Sequence, residues 1–487
     1  MSRFATRPSS SAAQRGSSLI ATIGLTAVLA IVTAVSLSTA QSGTTQAANL
    51  GRSDIVLQAA DAGVHRYISR LVEDPRYWDH WVDQAEDPRV DSSGLVHPPG
   101  SPWTPGVAWT YAGPPQTLAP LQDARFGQAV YSLRITRPPS GSDVVTVQSY
   151  AKVDSRKAKN QVRTIQAQIS PTSIADFQMI SNKEIKYGAS AITTGKVYSA
   201  SSVNHLGVAK APVYGQQSVC SEAANVACAG HYYGTDHFQG GAYDSASSPS
   251  FNDKFKTPID FSQFTRAVID LRDAAQHGGV YRNDPTASAW MVQFRSDGSV
   301  RIHKVASVDI RTSITTLACP ETVTMPANGA MYFEQPVIVS DGSSLADQCG
   351  GAGPRPSVVD GRVTIATPGD LVIGGNIAYE TNGDDVLGLI ATQNIVFAKY
   401  APANTSVRAA TLAQNGQWIT ASQRNEFGHQ SLVFTGSQTT NQGGYASMYL
   451  NRTYNYDSVL QYLRPPFYPI IEGSWSNRYW REVRPPA

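Results

Sequence analysis

The sequence predicts an α+β protein, mostly β, in which a long N-terminal transmembrane helix leads into a large exported body. Three observations carry that prediction. Residues 16–51 contain no Asp, Glu, Lys or Arg. Leu57, Ala60, Val64, Tyr67 and Leu71 then recur at spacings of three and four, the stripe of an amphipathic helix. From Gln128 onward, short runs alternate apolar with polar residues and are separated by Gly-, Asn- and Pro-bearing turns, the pattern of strands.

Residues 1–16 form a basic leader with Arg3, Arg7 and Arg15 and no acid. Residues 17–40 are the expected span, which as helix would run roughly 36 Å at ~1.5 Å per residue, enough to cross a bilayer. Arginines on the short side place that end in the cytoplasm and the body outside. Three fates of the span remain open: an uncut signal anchor, a secretory signal cut after Ser38-Thr39-Ala40 so that the chain begins at Gln41, or a retained helix whose leader alone is trimmed. Residues 41–75 continue as an amphipathic helix past a weak point at Ser42-Gly43-Thr44-Thr45 and stop near Asp74-Pro75.

Residues 76–170 combine a Pro/Trp-rich loop (Trp78, Trp81, Trp103, Trp109) with three alternating runs, Ala129–Ile135, Val144–Val153 and Gln161–Ile169. Those runs predict an antiparallel meander on the preceding helix. Residues 171–440 are expected to form a β-solenoid-like head, with a β-sandwich as the alternative. Asn376, Asn394 and Asn415 follow apolar residues at intervals of 18 and 21, and Leu389, Leu412 and Leu432 recur at about the same spacing. An insertion at 251–305 reads as a helix over Phe261–Gln276, ended by His277-Gly278-Gly279, followed by a hairpin around Asp297-Gly298. Residues 441–487, rich in Tyr, Trp and Pro, read as an extended C-terminal strap.

Composition narrows the function classes. Lys+Arg 39 against Asp+Glu 37 leaves no basic field, so nucleic acid is not expected as a partner. A mean hydropathy of −0.24 with 16% charged residues suits a turn-dense exported protein. Cys220, Cys228, Cys319 and Cys349 allow three pairings, of which Cys220–Cys228 and Cys319–Cys349 close the shortest loops. Zinc is the rival reading, with His231 and His237 near the first pair, but no C-x2-C spacing occurs and no metal is expected. Asp384-Asp385 sits in a Thr-Asn-Gly turn and lacks the D-x-D-x-D-G order of a calcium loop. No G-x-S-x-G, H-E-x-x-H or P-loop motif occurs. No catalytic residue, cofactor or enzymatic activity is therefore expected.

The words Gln14-Arg15-Gly16-Ser17-Ser18-Leu19-Ile20 resemble the start of type IV prepilins, and Leu57-Gln58-Ala59-Ala60-Asp61-Ala62-Gly63 is similar to the matching segment of PilX-type minor pilins. Leu371–Tyr379, Asp385–Ala391, Tyr454–Asp457, Arg464–Pro469 and Trp480–Val483 resemble large PilX-like pilus-assembly proteins. The resemblance implies cleavage between Gly16 and Ser17, and a filament and membrane helix opening with Leu19, Ile20, Ala21, Ile23 and Leu25. It also implies a pilin-like head built from a helix and an antiparallel sheet. Ala21 stands where major pilins usually carry Glu, which implies a minor subunit at the tip or in assembly initiation, with a head that can adhere to a surface. The implied partners are other minor and major pilins, the inner-membrane assembly machinery and membrane lipid, with no receptor named. The implied location is a single-pass cell membrane, then the cell surface or pilus. The rival class is a membrane-tethered or secreted β-helix protein acting on or binding glycans.

Overall fold

The computed structural model describes residues 14–73, 108–110, 116–123, 127–136, 144–154, 162–220, 233–235, 259–307, 309–340, 357–381, 383–422, 428–444 and 448–484. Most of the leader, most of the Pro/Trp-rich loop, Cys228, His231, His237 and Cys349 lie outside them.

Helix α1 (Gln14–Glu73) runs unbroken for 60 residues, straight through the expected weak point at Ser42-Gly43-Thr44-Thr45. Its last turns bury Val56, Ala59, Ala60, Val64, Tyr67 and Leu71. Among the described residues no helix is long and apolar enough to cross a membrane. That finding overturns the expected transmembrane helix, and with it the single-pass membrane location and the fold class built on them. Helix α1 continues from 17–40 into Gln41–Gln46 without a boundary. Thr33 Oγ1 bonds back to the Leu29 carbonyl at 2.6 Å, which satisfies the hydroxyl within the helix.

Strands β1 (Gly127–Thr136), β2 (Val145–Asp154) and β3 (Val162–Ser173) pair antiparallel in sequence order. Alternation sends Tyr131, Leu133, Ile135, Val145, Val147, Ile165, Ala167 and Ile169 to the face covered by α1. The sheet has a further member the sequence did not announce. Ile470–Val483, expected within an extended strap, is a strand that pairs antiparallel with β3. Its run Ile-Ile-Glu-Gly-Ser-Trp-Ser-Asn-Arg-Tyr-Trp-Arg-Glu-Val alternates poorly, because bulges at Ile470/Trp475 and Asn477/Tyr479 shift its faces.

The head is a stack of parallel coils. Its main sheet contains β4 (Phe177–Ser181), β5 (Lys196–Ser199), β6 (Val213–Gly215), β7 (Val280–Arg282), β8 (Ala330–Phe333), β9 (Arg362–Thr367), β10 (Val386–Ala391), β11 (Asn404–Ala413) and β12 (Ser431–Thr440). In space the order is β7-β8-β9-β10-β11-β12-β4-β5-β6, every adjacent pair parallel. The chain therefore enters the stack in the middle at β4 and winds to one end at β6. It restarts at the far end with β7 and climbs back until β12 meets β4. Val363 pairs Leu387, Leu389 pairs Thr411 and Thr411 pairs Gln438, so successive coils take 24, 22 and 27 residues. The spacing expected from the leucines is thus not the coil register: Leu412 pairs Ile390 and Thr439, and Leu432 pairs Thr405.

Val363, Ile365, Leu371, Ile373, Leu387, Leu389, Ile395 and Phe397 fill the inside of the coils. On the outside of the main sheet, α2 (Phe264–Gln276) lays Phe264, Val268, Leu271 and Ala275 into a second core with Ala330, Tyr332, Ala366, Ile390 and Leu412. Asp260 opens this region by accepting from Ser262 N at 2.8 Å, and His277 ends the helix. Ala289–Phe294 and Ser299–Ala306 form the Asp297-Gly298 hairpin, with Gly298 at φ +72° in its turn.

Candidate functional site

The two halves of α1 have opposite surroundings. Its C-terminal half is seated on the sheet, and two polar contacts fix the seat. Trp480 Nε1 on the terminal strand donates to Asp61 Oδ1 at 3.1 Å, and Arg163 Nε on β3 donates to Ser53 Oγ at 3.2 Å. Arg163 also pairs with Glu482, tying β3 to the terminal strand beneath the helix. At Gly63 the helix backbone comes so close to the sheet that a Cβ there would lie 2.4 Å from Ser149 Oγ and 2.7 Å from Tyr131 Cδ2.

Among the described residues the N-terminal half shows no such seat. Residues 29–36 are all exposed, and Leu29, Ile31, Val32 and Val35 each show between 54% and 63% of their surface. At about 100° per residue these four side chains fall within an arc of about 160°, one broad apolar face, with Ala30, Thr33 and Ala34 on the other side. Neighbouring helices packed along that face would cover it.

Comparison with solved structures finds a pilin. The chain is similar to the competence-associated pilin ComZ from Thermus thermophilus, at 13% identity and a TM-score of 0.28, over 89% of this chain and 97% of that one. No family model matches the chain, and no curated protein does.

The structure places the residues expected at the processing site and helix start, Gly16, Ser17, Leu19, Ile20, Ala21, Ile23 and Leu25, in the first turns of α1. Because α1 begins at Gln14, the Gly16–Ser17 bond is itself helical, whereas the sequence suggested that the helix starts after it. No described cysteine is a free thiol; Cys220 ends a short strand and Cys319 is exposed. The pairing expected with Cys228 and Cys349 falls on residues outside those described.

Asp385 is buried as a backbone clamp. It accepts from Gly361 N at 2.6 Å, Thr381 N at 2.6 Å and Thr381 Oγ1 at 2.9 Å, joining one coil to the next. The asparagines act likewise: Asn376 Oδ1 accepts from Ser406 N at 2.8 Å and Asn394 Oδ1 from Gln417 N at 3.1 Å. They brace successive coils through the backbone. Asp61, Arg163 and Trp480 were missed as a group because they lie more than 100 residues apart in pairs, and only the pairing of the terminal strand brings them together.

Proposed function

We propose that this chain is a subunit of a pilus-like filament, joined to its neighbours through the N-terminal half of α1, with the coiled head carried outside. One observation carries the reading: a single unbroken helix has one half fixed to an antiparallel sheet and the other half exposing Leu29, Ile31, Val32 and Val35 along one broad face. Covering the exposed half of each such side chain stabilises by about 1 kcal/mol, half the value for full burial. Packing of that face against like helices from other pilins provides the cover. A head of this size would crowd a repeating shaft, and Ala21 brings no carboxylate to pair with a neighbour, so the place proposed is that of a minor subunit at the tip or in initiation.

Two measurements test it. Mass spectrometry of the protein from sheared filaments is expected to find a chain starting at Ser17; a chain starting at Gln41 and absent from the filament fraction overturns the proposal. Ile31→Lys with Val35→Lys is expected to remove the protein from filaments while leaving its thermal transition unchanged, since neither side chain touches the folded head. Incorporation of the double variant at the wild-type level would also defeat the reading.

A further inference from the structure

Where β12 meets β4, the last coil of one run abuts the first coil of another with no chain connection across the joint. On the main sheet the joint is closed by Gln438 pairing Met179, Thr439 pairing Ile180 and Thr440 pairing Ser181. On a second face it is not. The eight-stranded sheet of that face ends at Trp418–Thr420, beyond which only an isolated bridge links Trp418 to Gly444. A separate three-stranded sheet begins at Ile185–Tyr187. Between those two edges lies a cavity of about 590 Å³, well within the range of about 300–1,000 Å³ typical of small-molecule sites.

Its lining is unusual for a packing gap. Trp418 and Gln438 line it at 2% and 7% exposure, and among the described residues Trp418 Nε1 and Gln438 Nε2 have no hydrogen-bond acceptor. A buried donor left unpaired costs roughly 1–3 kcal/mol, so two at one place favour a guest that brings acceptors. The walls also present Met179, Ile185, Tyr187 and Tyr454, which favour apolar faces. The charged groups of the lining are Lys186, whose Nζ lies 3.1 Å from Glu184 Oε2, and Arg452, whose Nη1 donates to the Tyr449 carbonyl at 3.4 Å. A fatty chain would leave both donors unpaired.

We propose that this cavity binds a short neutral saccharide, whose hydroxyl and ring oxygens accept from Gln438 and Trp418 while its C–H faces lie against Tyr187 and Tyr454. The site is independent of assembly through α1, so either proposal can fail alone.

The test uses the purified full chain on an array of neutral oligosaccharides, with sialylated glycans as anionic controls and octanoate as the apolar one. Hits are followed by titration of tryptophan fluorescence. At least one neutral glycan is expected to bind saturably. Gln438→Ala is expected to weaken it about tenfold, the value of one lost hydrogen bond. Ser190→Trp, at an exposed position on the rim, is expected to abolish binding without altering the circular dichroism, which guards against a folding defect in the buried variant. Absence of any neutral-glycan binding, equal or tighter binding of octanoate or sialylated glycans, or wild-type affinity in Ser190→Trp would each overturn the proposal.

Discussion

His205 lies fully buried in the coils above the joint, with Nε2 3.1 Å from Thr193 Oγ1 and its ring 4.7 Å from that of Tyr187. Burial disfavours the imidazolium and lowers its pKa from 6.5 to about 4. The native state therefore refuses a proton that the unfolded chain accepts as pH falls below about 6.5. The stabilisation is present in full above that value and is lost between pH 6.5 and 4, a swing on the order of 3 kcal/mol. Urea unfolding is expected to show a lower midpoint at pH 4.5 than at pH 7, with a smaller difference in His205→Phe. Equal pH dependence in the two proteins would mean that His205 is not the group responsible.

At the scale of the element, two glycines of α1 make opposite predictions. Gly63 sits against the sheet, where a Cβ would meet Ser149 and Tyr131 below 3 Å, whereas Gly43 has nothing within 4 Å. Gly63→Val is expected to cost about 1–3 kcal/mol by overpacking. Gly43→Ala is expected to leave the stability unchanged or raise it by about 0.5–1 kcal/mol through helix propensity. Thermal melts of the two variants decide it, and a similar loss in both would refute the described seat of α1. The amphipathic stripe that forms this seat was legible because Val64, Tyr67 and Leu71 repeat within one element. The three strands of the meander were legible for the same local reason. The coil register was not, because a parallel strand finds its partner 22–27 residues away and the sequence marks only the apolar residues, not which of them stand side by side. The leucine recurrence suggested a register, and backbone pairing chose a different one. The span suggested by the charge-free run is a separate case: among the described residues no helix is long and apolar enough to cross a membrane.

For the whole molecule, the least legible feature was the route of the chain. Nothing local tells β12 to finish against β4, some 250 residues earlier, or the terminal strand to close the sheet begun at β1, and the cavity exists only because of that route. The same route makes one ion pair decisive. Arg478 on the terminal strand places Nη2 2.7 Å from Asp176 Oδ2, and Nε donates to Ser170 Oγ at 2.6 Å. Asp176 stands where β3 turns into β4, and its Oδ2 also accepts from Ser173 N at 3.1 Å, capping the single 3-10 turn between sheet and coils. Both side chains are almost wholly buried. Arg478→Leu would strip the Asp176 carboxylate of its hydrogen-bonded cation inside the junction of sheet and head, leaving the field of Lys196 nearby, at an expected cost of about 3–5 kcal/mol in chemical denaturation. Adding Asp176→Asn removes the stranded charge and is expected to recover part of that loss. The far weaker effect expected of an exposed pair, about 0–1 kcal/mol, would show instead that the sheet and the head are held together by their apolar contacts alone.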